Sequence, residues 1–378
     1  MNIRPIGDQQ IIMCNPMSKH NYFGWPTVAR LQDGRIAVAA SGFRLGHVCP
    51  FGKTCISYSA DEGKTYLPPI PVIDTALDDR DGGVLAFGEN SLVVTSFNNR
   101  AAAQYRCIET SSKDGKQTSF APFPDVAYRK GYLDAVTAED EDAYYGSTMR
   151  ISHDGGITFG PLLKSPVSAP HGPLRCADGK IIYVGTPFDT TGTLKPEDCY
   201  IEAWSLAENG AMEYIGHIDH IYSDDGELLS SCEPHAIELP DGRLLCHIRV
   251  QKMEGGPAMF TTYQSISEDK GKTWSKPQLL LHPQGGAPAH LLLHSSGVLI
   301  SVYGNRVIGT PSINVMLSRD LGESWQTDYV LVKNEFSGDV GYPSTIELND
   351  GSLLTVYYGF EKEKGPAVIW QQRWELTP

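Results

Sequence analysis

From Glu233 to Arg249 the chain reads EPHAIELPDGRLLCHIR, and from Gly341 to Gly359 it reads GYPSTIELNDGSLLTVYYG. Each is an apolar run, an Asp-Gly pair and a second apolar run. Asp-Gly between aliphatic and β-branched residues is the strongest short-range hairpin signal, because the turn needs left-handed backbone that Gly, Asp and Asn tolerate. A two-residue hairpin turn is therefore expected at each. The same pattern recurs as GWPTVARLQDGRIAVAASG from Gly24, DGGVLAFGENSLVVTSFN from Asp81, HGPLRCADGKIIYVG from His171 and APAHLLLHSSGVLISVYG from Ala287. With Asp33, Glu89, Asp178, Asp241, Ser296 and Asp350 as equivalent turn positions, successive copies lie 56, 89, 63, 55 and 54 residues apart. A step of that length holds about four strands of ordinary size. The long second step contains Asn99 to Glu141, Ala-rich at its start and acidic at its end, which reads as a partly helical insertion.

The rest of the composition agrees with an all-β chain of many turns. Its 378 residues would by default suggest two or three domains, but 38 Gly and 25 Pro are spread evenly, without low-complexity tracts. Basic residues number 31 against 45 acidic, a formal net charge of −14, and no Lys/Arg run offers a footing for a phosphate backbone. Nucleic acid is not an expected partner. No apolar window is long enough for a membrane-spanning helix, and the first residues, MNIRPIGDQQ, lack a signal-peptide core. The chain as it stands is expected in the cytoplasm, or in a secreted or periplasmic setting if a signal has been removed. Eight scattered Cys show no zinc spacing, and no D-x-D-x-D-G loop marks calcium, so neither a metal nor a cofactor is expected.

A second motif follows the hairpins: SADEGKTY at Ser59, SHDGGITF at Ser152, SEDKGKTW at Ser267 and SRDLGESW at Ser318, with weaker relatives SSKDGKQTSF near Ser112 and SLAENGAMEY near Ser205. Ser and Asp side chains bonded to nearby backbone N–H groups, a left-handed Gly and a packed aromatic make such a unit a self-contained turn, which gives its Asp a structural role. These octapeptides resemble the Asp-boxes of the sialidase (neuraminidase) superfamily, and the resemblance runs from about Gly24 to Tyr358. It implies a six-bladed β-propeller. Six hairpins, each extended to four strands, agree with that architecture on their own count. The expected arrangement is one domain over 1–378, with the 99–141 insertion in the second blade. The segment AVIWQQRW near Ala367 would complete the last blade, with the N-terminal IIMCNP run beside it.

In a propeller the innermost strands line a central channel, and ligands bind at one mouth. Eight residues before each turn position stand Trp25, Asp81, Pro170, Glu233, Pro288 and Tyr342, with His171, His235 and His290 within two residues of that register. The resemblance assigns roles to some of them. A sialidase-like Glu opens a hairpin and an Arg follows sixteen residues later, as Glu233 and Arg249 do here. That Glu polarises a tyrosine, the tyrosine attacks the anomeric carbon, and the Arg holds the substrate carboxylate. Tyr342 would be the nucleophile and Arg306 a further arm of the carboxylate clamp.

Two departures stand out. The superfamily's Arg-Ile-Pro motif in the first hairpin is replaced by Phe23-Gly24-Trp25-Pro26, so one clamp Arg is missing. The loop expected to carry the acid/base Asp, SGFRLGHVCPFGKTC from Ser41, has no carboxylate. It offers Arg44 and His47, while the neighbouring LDDRDGG supplies Asp79 or Asp81 as a proton donor and Arg80 as a replacement positive charge. The expected catalytic set is thus Tyr342, Glu233, Asp81 and His47. The expected substrate-binding set is Arg44, Arg80, Arg249, Arg306, His171, His235, His290 and Trp25. The implied activity is a retaining, exo-acting glycoside hydrolase on a terminal, anionic sugar of a glycan, with a homo-oligomer as a further possibility. A non-catalytic carbohydrate-binding propeller is the alternative, and a lyase or metal-assisted enzyme using the three His a third.

Overall fold

A computed structural model describes residues 1–113, 125–188, 195–252, 259–281, 286, 288–306, 310–334, 336, 338–363 and 365–378. Six antiparallel sheets follow one another along the chain, and each of the six hairpins supplies the first two strands of one sheet. The first blade takes Tyr22–Arg30, Ile36–Arg44, Lys53–Ser59 and Ile70–Ile73; the fourth takes Ser230–Glu238, Leu244–Lys252, Met259–Ser267 and Gln278–Leu279. The third is irregular, because its innermost strand is broken into Val167–Ser168 and Leu174–Arg175.

Six hydrophobic clusters lie between the blades, one at each junction. Tyr58 and Ile73 of the first blade meet Val84 and Val94 of the second. Met149 meets Ile181, Ile182 meets Cys246, Leu245 meets Leu291, and Val315 meets Tyr357 at the next four. Trp25 and Val38 then meet Tyr342 and Val356, so the sixth blade packs back on the first and the ring closes. A blade covered on both faces needs apolar residues at successive positions, which is why inner strands such as Ile36–Arg44 read as continuous rather than alternating runs. The last blade is completed by the N-terminal strand Asn2–Met13, which pairs antiparallel with Ala367–Thr377. The molecule is a six-bladed β-propeller.

The hairpin turns differ from the expected two-residue form. In the first blade Gly34 N–H donates to Leu31 O at 3.1 Å and Leu31 N–H to Arg35 O at 2.8 Å, and Gly34 alone has positive φ, at 89°. The same pair of bonds recurs at Gly179, Gly242, Gly297 and Gly351. This is a three-residue turn ending in a left-handed glycine. The Asp keeps ordinary backbone, and its carboxylate accepts from the N–H two residues on, as Asp33 does from Arg35 at 3.0 Å.

The S-x-D-x-G turns follow the third strands. In the one at Ser59, Gly63 N–H donates to Ser59 Oγ at 3.0 Å, while Thr65 donates to Asp61 through N–H at 2.9 Å and Oγ1 at 2.6 Å. Ser152, Ser267 and Ser318 repeat the network. Those hydrogen bonds pull the Asp61, Asp154 and Asp320 carboxyls down to about 2, as suits acceptors that are always ionised. SLAENGAMEY proves to be a tight hairpin between Ile201–Leu206 and Met212–Ile218. Most of SSKDGKQTSF lies outside the described residues.

Between the second and third strands of the second blade run three helices, α1 (Ala101–Lys113), α2 (Val126–Leu133) and α3 (Ala138–Tyr144). The acidic end of the segment folds as α3 because Thr137 and Asp140 form a reciprocal capping box, with three acids in the first turn. Helix α2 packs on the loop that follows Arg44: Phe51 stacks on Tyr128 at 4.7 Å, and Arg129 donates to Val48 O. No helix of the described residues is long and apolar enough to cross a membrane.

Candidate active site

Four residues at the same step of the repeat leave the sheet together. Trp25, Asp81, Glu233 and Tyr342 have φ of 55°, 57°, 50° and 49°, and at each the hairpin register slips, between Gly24 and Thr27, Arg80 and Gly83, Cys232 and His235, and Gly341 and Ser344. A bulge with a left-handed non-glycine residue costs about 1–3 kcal/mol and re-aims one side chain, so four of them in register at one channel mouth mark a built site.

Tyr342 and Glu233 meet there. The Tyr342 hydroxyl donates to Glu233 Oε1 at 2.6 Å, and Arg249 Nη1 donates both to Glu233 Oε2 at 2.5 Å and to the same hydroxyl at 3.1 Å. The three residues come from blades four and six. Burial, followed by the charge of Glu233, holds the Tyr342 hydroxyl well above the ordinary tyrosine value, so it rests protonated and donates to the carboxylate. Arg249 is aimed by Gln251, which accepts from Nη2 at 2.7 Å. Its guanidinium lies 4.9 Å from the centre of the Phe260 ring, with that of Arg306 5.9 Å from the same ring and 5.6 Å from the Tyr342 ring. Two like charges thus share one aromatic ring beside the tyrosine.

Asp81 stands on the opposite side of the mouth. It is buried, and its side chain makes no hydrogen bond among the described residues. Burial and then the charge of Glu233 push its carboxyl up to about 7, against the pull of Arg80, Arg44 and Arg249. It therefore keeps its proton to higher pH than an ordinary carboxyl. Asp79 is raised to about 7 as well, mainly by burial, but its oxygens accept from Thr75 N at 2.7 Å and Thr75 Oγ1 at 2.9 Å, which ties it into a loop away from the mouth.

The structure corrects several expected substrate contacts. Arg44 is fully buried: it pairs with Asp78 at 2.6 Å and donates to Ser41 Oγ and His47 O, so it supports the loop and cannot reach a ligand. Trp25 is 1% exposed and sandwiched, with the guanidinium carbons of Arg80 and Arg44 at 4.4 and 4.8 Å from its ring. It packs against these two arginines instead of offering a surface. Arg80 is held by His47 O at 2.9 Å and lies 3.4 Å from His47 Nε2.

The three histidines are also corrected. His235 and His290 stand two residues deeper along the innermost strands than the mouth residues, stacked at 4.3 Å, and His171 meets both edge-on at 5.6 and 5.1 Å. Burial holds all three below the ordinary imidazole value, His235 at about 3. They plug the channel as neutral rings. Leu291 N–H donates to His235 Nδ1 at 3.0 Å and Thr345 N–H to His290 Nδ1 at 3.4 Å, which puts the ring hydrogens on Nε2. An Nε2 that carries hydrogen has no lone pair for a metal, so His235 and His290 do not fit the metal-assisted alternative.

Sequence reasoning missed a buried layer behind these residues: Asp339, Tyr22 and Tyr358. The Asp339 carboxylate accepts from Tyr22 at 2.8 Å, Tyr358 at 2.6 Å and His47 Nδ1 at 3.1 Å. Only the position of Asp339, three residues before Tyr342 in a chain segment entering the mouth, could have drawn attention to it. Gln251 and Phe260 were missed too, although Gln251 follows Arg249 at the same-face spacing of a strand.

The BNR repeat-like domain model matches residues 136–355. The comparison with curated proteins returns no match. Among solved structures, a Dyadobacter fermentans protein of unknown function superposes with a TM-score of 0.73 at 18% identity, over 100% of both chains. A leech intramolecular trans-sialidase complexed with 2,7-anhydro-Neu5Ac gives 0.64 at 13% identity, over 98% of this chain and 70% of that one. A Penicillium chrysogenum alpha-L-arabinanase complexed with arabinobiose gives 0.62 at 13% identity, over 97% of each. At such identities these structures share the fold. The repeat model, by contrast, fits more than half of the chain's own sequence, and six blades of that repeat close into one ring: the chain belongs to the BNR repeat-like family, on the sialidase-type six-bladed propeller.

Proposed function

We propose that the chain is a retaining, exo-acting glycoside hydrolase that removes a terminal anionic sugar, with Tyr342 as nucleophile, Glu233 as its base and Asp81 as acid/base. One observation carries this reading: the 2.6 Å hydrogen bond from Tyr342 to Glu233, with Arg249 donating to the same phenolic oxygen. A sugar-binding propeller has no need of a buried carboxylate and a guanidinium on one hydroxyl, whereas a nucleophile needs both. As Tyr342 Oη bonds to the anomeric carbon, its proton passes to Glu233 and Arg249 stabilises the phenolate character that develops. The bond to the leaving oxygen breaks as Asp81 donates its proton. Asp81 then takes a proton from water, the water oxygen attacks the anomeric carbon, and Tyr342 leaves with the proton held by Glu233. A carboxyl near 7 suits both halves of that cycle.

Arg249, Arg306 and Arg80 around the tyrosine favour an anionic glycone, and a phenol avoids the repulsion a carboxylate nucleophile would meet. The sugar chemistry in the names of the leech and Penicillium structures is consistent with a glycan substrate. The test is a panel of aryl glycosides, comprising sialosides, uronides and arabinofuranosides. Tyr342→Phe is expected to lower turnover of the accepted substrate by at least about 1,000-fold. Undiminished turnover by Tyr342→Phe overturns the mechanism, and sugar binding with no turnover anywhere in the panel makes the chain a binding propeller.

A further inference from the structure

Behind the mouth, one carboxylate touches the supports of two arginines that flank Tyr342. Asp339 is 2% exposed and sits three residues before the tyrosine. Its Oδ1 accepts from the Tyr358 hydroxyl at 2.6 Å, and that hydroxyl accepts in turn from Arg306 Nη2 at 3.0 Å. Arg306 is fixed at its other edge by Val340 O, one residue from Asp339, at 3.0 Å from Nε. The Oδ2 of Asp339 accepts from Tyr22 at 2.8 Å and lies 3.1 Å from His47 Nδ1.

Burial works against the Asp339 charge, but His47, Arg306 and the Tyr358 hydrogen bond outweigh it and hold the carboxyl far below its ordinary range. An ionised carboxylate only accepts, so His47 Nδ1 carries the hydrogen; burial lowers the imidazole below its ordinary value and keeps the ring neutral, so Nε2 presents a lone pair. Arg80 Nη2 lies 3.4 Å from that Nε2, while Arg80 Nη1 donates to His47 O. The ring stands edge-on to Trp25 at 4.9 Å and to Tyr22 at 6.4 Å, so it has little freedom to turn. Two chains of hydrogen bonds therefore leave one carboxylate, Asp339–Tyr358–Arg306 and Asp339–His47–Arg80.

We propose that Asp339 is a positioning residue that sets both arginines at once: it orients Arg306 through Tyr358 and Arg80 through the tautomer of His47, and so fixes the spacing at which an anionic group is held beside Tyr342. The proposal rests on the glycosidase reading for the identity of the anion and on the hydrogen bonds around an ionised Asp339 for the two chains. His47 is then a strut for Arg80 and leaves the proton transfers to Asp81.

The test has two independent arms. Long-range 15N NMR of the His47 ring, assigned by comparison with His47→Gln, is expected to show hydrogen on Nδ1 in the native chain and a mixed or reversed tautomer in Asp339→Asn. This arm needs no substrate, so it stands if the panel shows no activity. In the second arm, with the aryl glycoside turned over by the native chain, Asp339→Asn is expected to raise KM about 100-fold with a smaller fall in kcat, as for misplaced binding groups. Tyr358→Phe cuts only the Arg306 chain and is expected to give a smaller rise, non-additive with Asp339→Asn. Thermal melts identify any variant that fails to fold, and Tyr358→Phe keeps the question open if Asp339→Asn does. Hydrogen on Nε2 of His47 in the native chain overturns the proposal, and so does an unchanged KM in both folded variants. Failure of the glycosidase reading leaves the tautomer result intact.

Discussion

Asp81 carries the sharpest residue-scale consequence, because its carboxyl is poised near 7 and a general acid works only in its protonated form. Activity is expected to fall as pH rises through about 7, and Asp81→Asn is expected to remove that limb. The loss in Asp81→Asn should reach about 100-fold for a poor alcohol leaving group and be far smaller for dinitrophenol, which leaves without a proton. Equal losses on both substrates would assign the proton to another group. Trp25 offers a second test at this scale. An arginine at this position does not supply a clamp, since the indole it would replace is 1% exposed and lies against Arg80 and Arg44. Trp25→Arg would bury a third cation beside two others and leave a cavity. A loss of about 3–5 kcal/mol in urea unfolding is expected, with no gain in affinity for acidic sugars.

At the scale of the element, what the bulges require of the chain is visible in the glycines that follow Asp81. A Cβ on Gly82 would lie 2.5 Å from Ala40 N and 2.6 Å from Ala40 Cα, and one on Gly83 would lie 2.7 Å from Gly172 Cα. The innermost strand of the second blade approaches the second strand of the first blade and the innermost segment of the third backbone to backbone here, and only glycine permits it. Gly34, in a hairpin turn, has left-handed backbone at φ 89° and nothing within 4 Å of such a Cβ. Gly34→Ala is thus expected to cost about 1–2 kcal/mol of conformational strain and Gly82→Ala clearly more, as read by thermal melts. A smaller loss at Gly82 than at Gly34 would contradict the packing. The same contrast explains what could be read in the sequence. Hairpins and S-x-D-x-G turns are made by residues within a few positions of each other, so their pattern survives in the letters. The register of the repeat also brought Trp25, Asp81, Glu233 and Tyr342 together. Which face a charged residue takes depends on packing between blades, and this is where Arg44 and Arg80, three dozen residues apart and both near Asp78, could not be told apart as support and site. Asp339, Tyr22 and Tyr358 meet across the junction of the last and first blades, at separations of up to 317 residues, with no repeat to link them.

For the whole molecule, the centre of the ring ties stability to pH. His171, His235 and His290 fill the channel and His247 lies buried between Ser301 and Gln264. Burial holds His235 and His247 at about 3. In the unfolded chain these imidazoles take up protons near 6.5, whereas in the folded protein they stay neutral down to about 3. A folded-state value depressed in this way means that the unfolded chain binds more protons between those limits, so stability is complete above about 6.5 and is lost as pH falls toward 3. At pH 5 the loss is about 2 kcal/mol for each of the two groups. Asp79 and Asp81 act in the opposite direction, because carboxyls raised to about 7 favour the folded state as they take up protons below that value. The overall slope of stability with pH therefore mixes two signs. His247→Gln isolates the histidine contribution, since an amide can donate to Gln264 and accept from Ser301 without titrating. Between pH 7.5 and 5, urea unfolding of His247→Gln is expected to lose about 2 kcal/mol less than the native chain loses over the same interval. Parallel losses in the two proteins would mean that His247 takes up its proton in the folded state, and that the junction of the fourth and fifth blades admits charge.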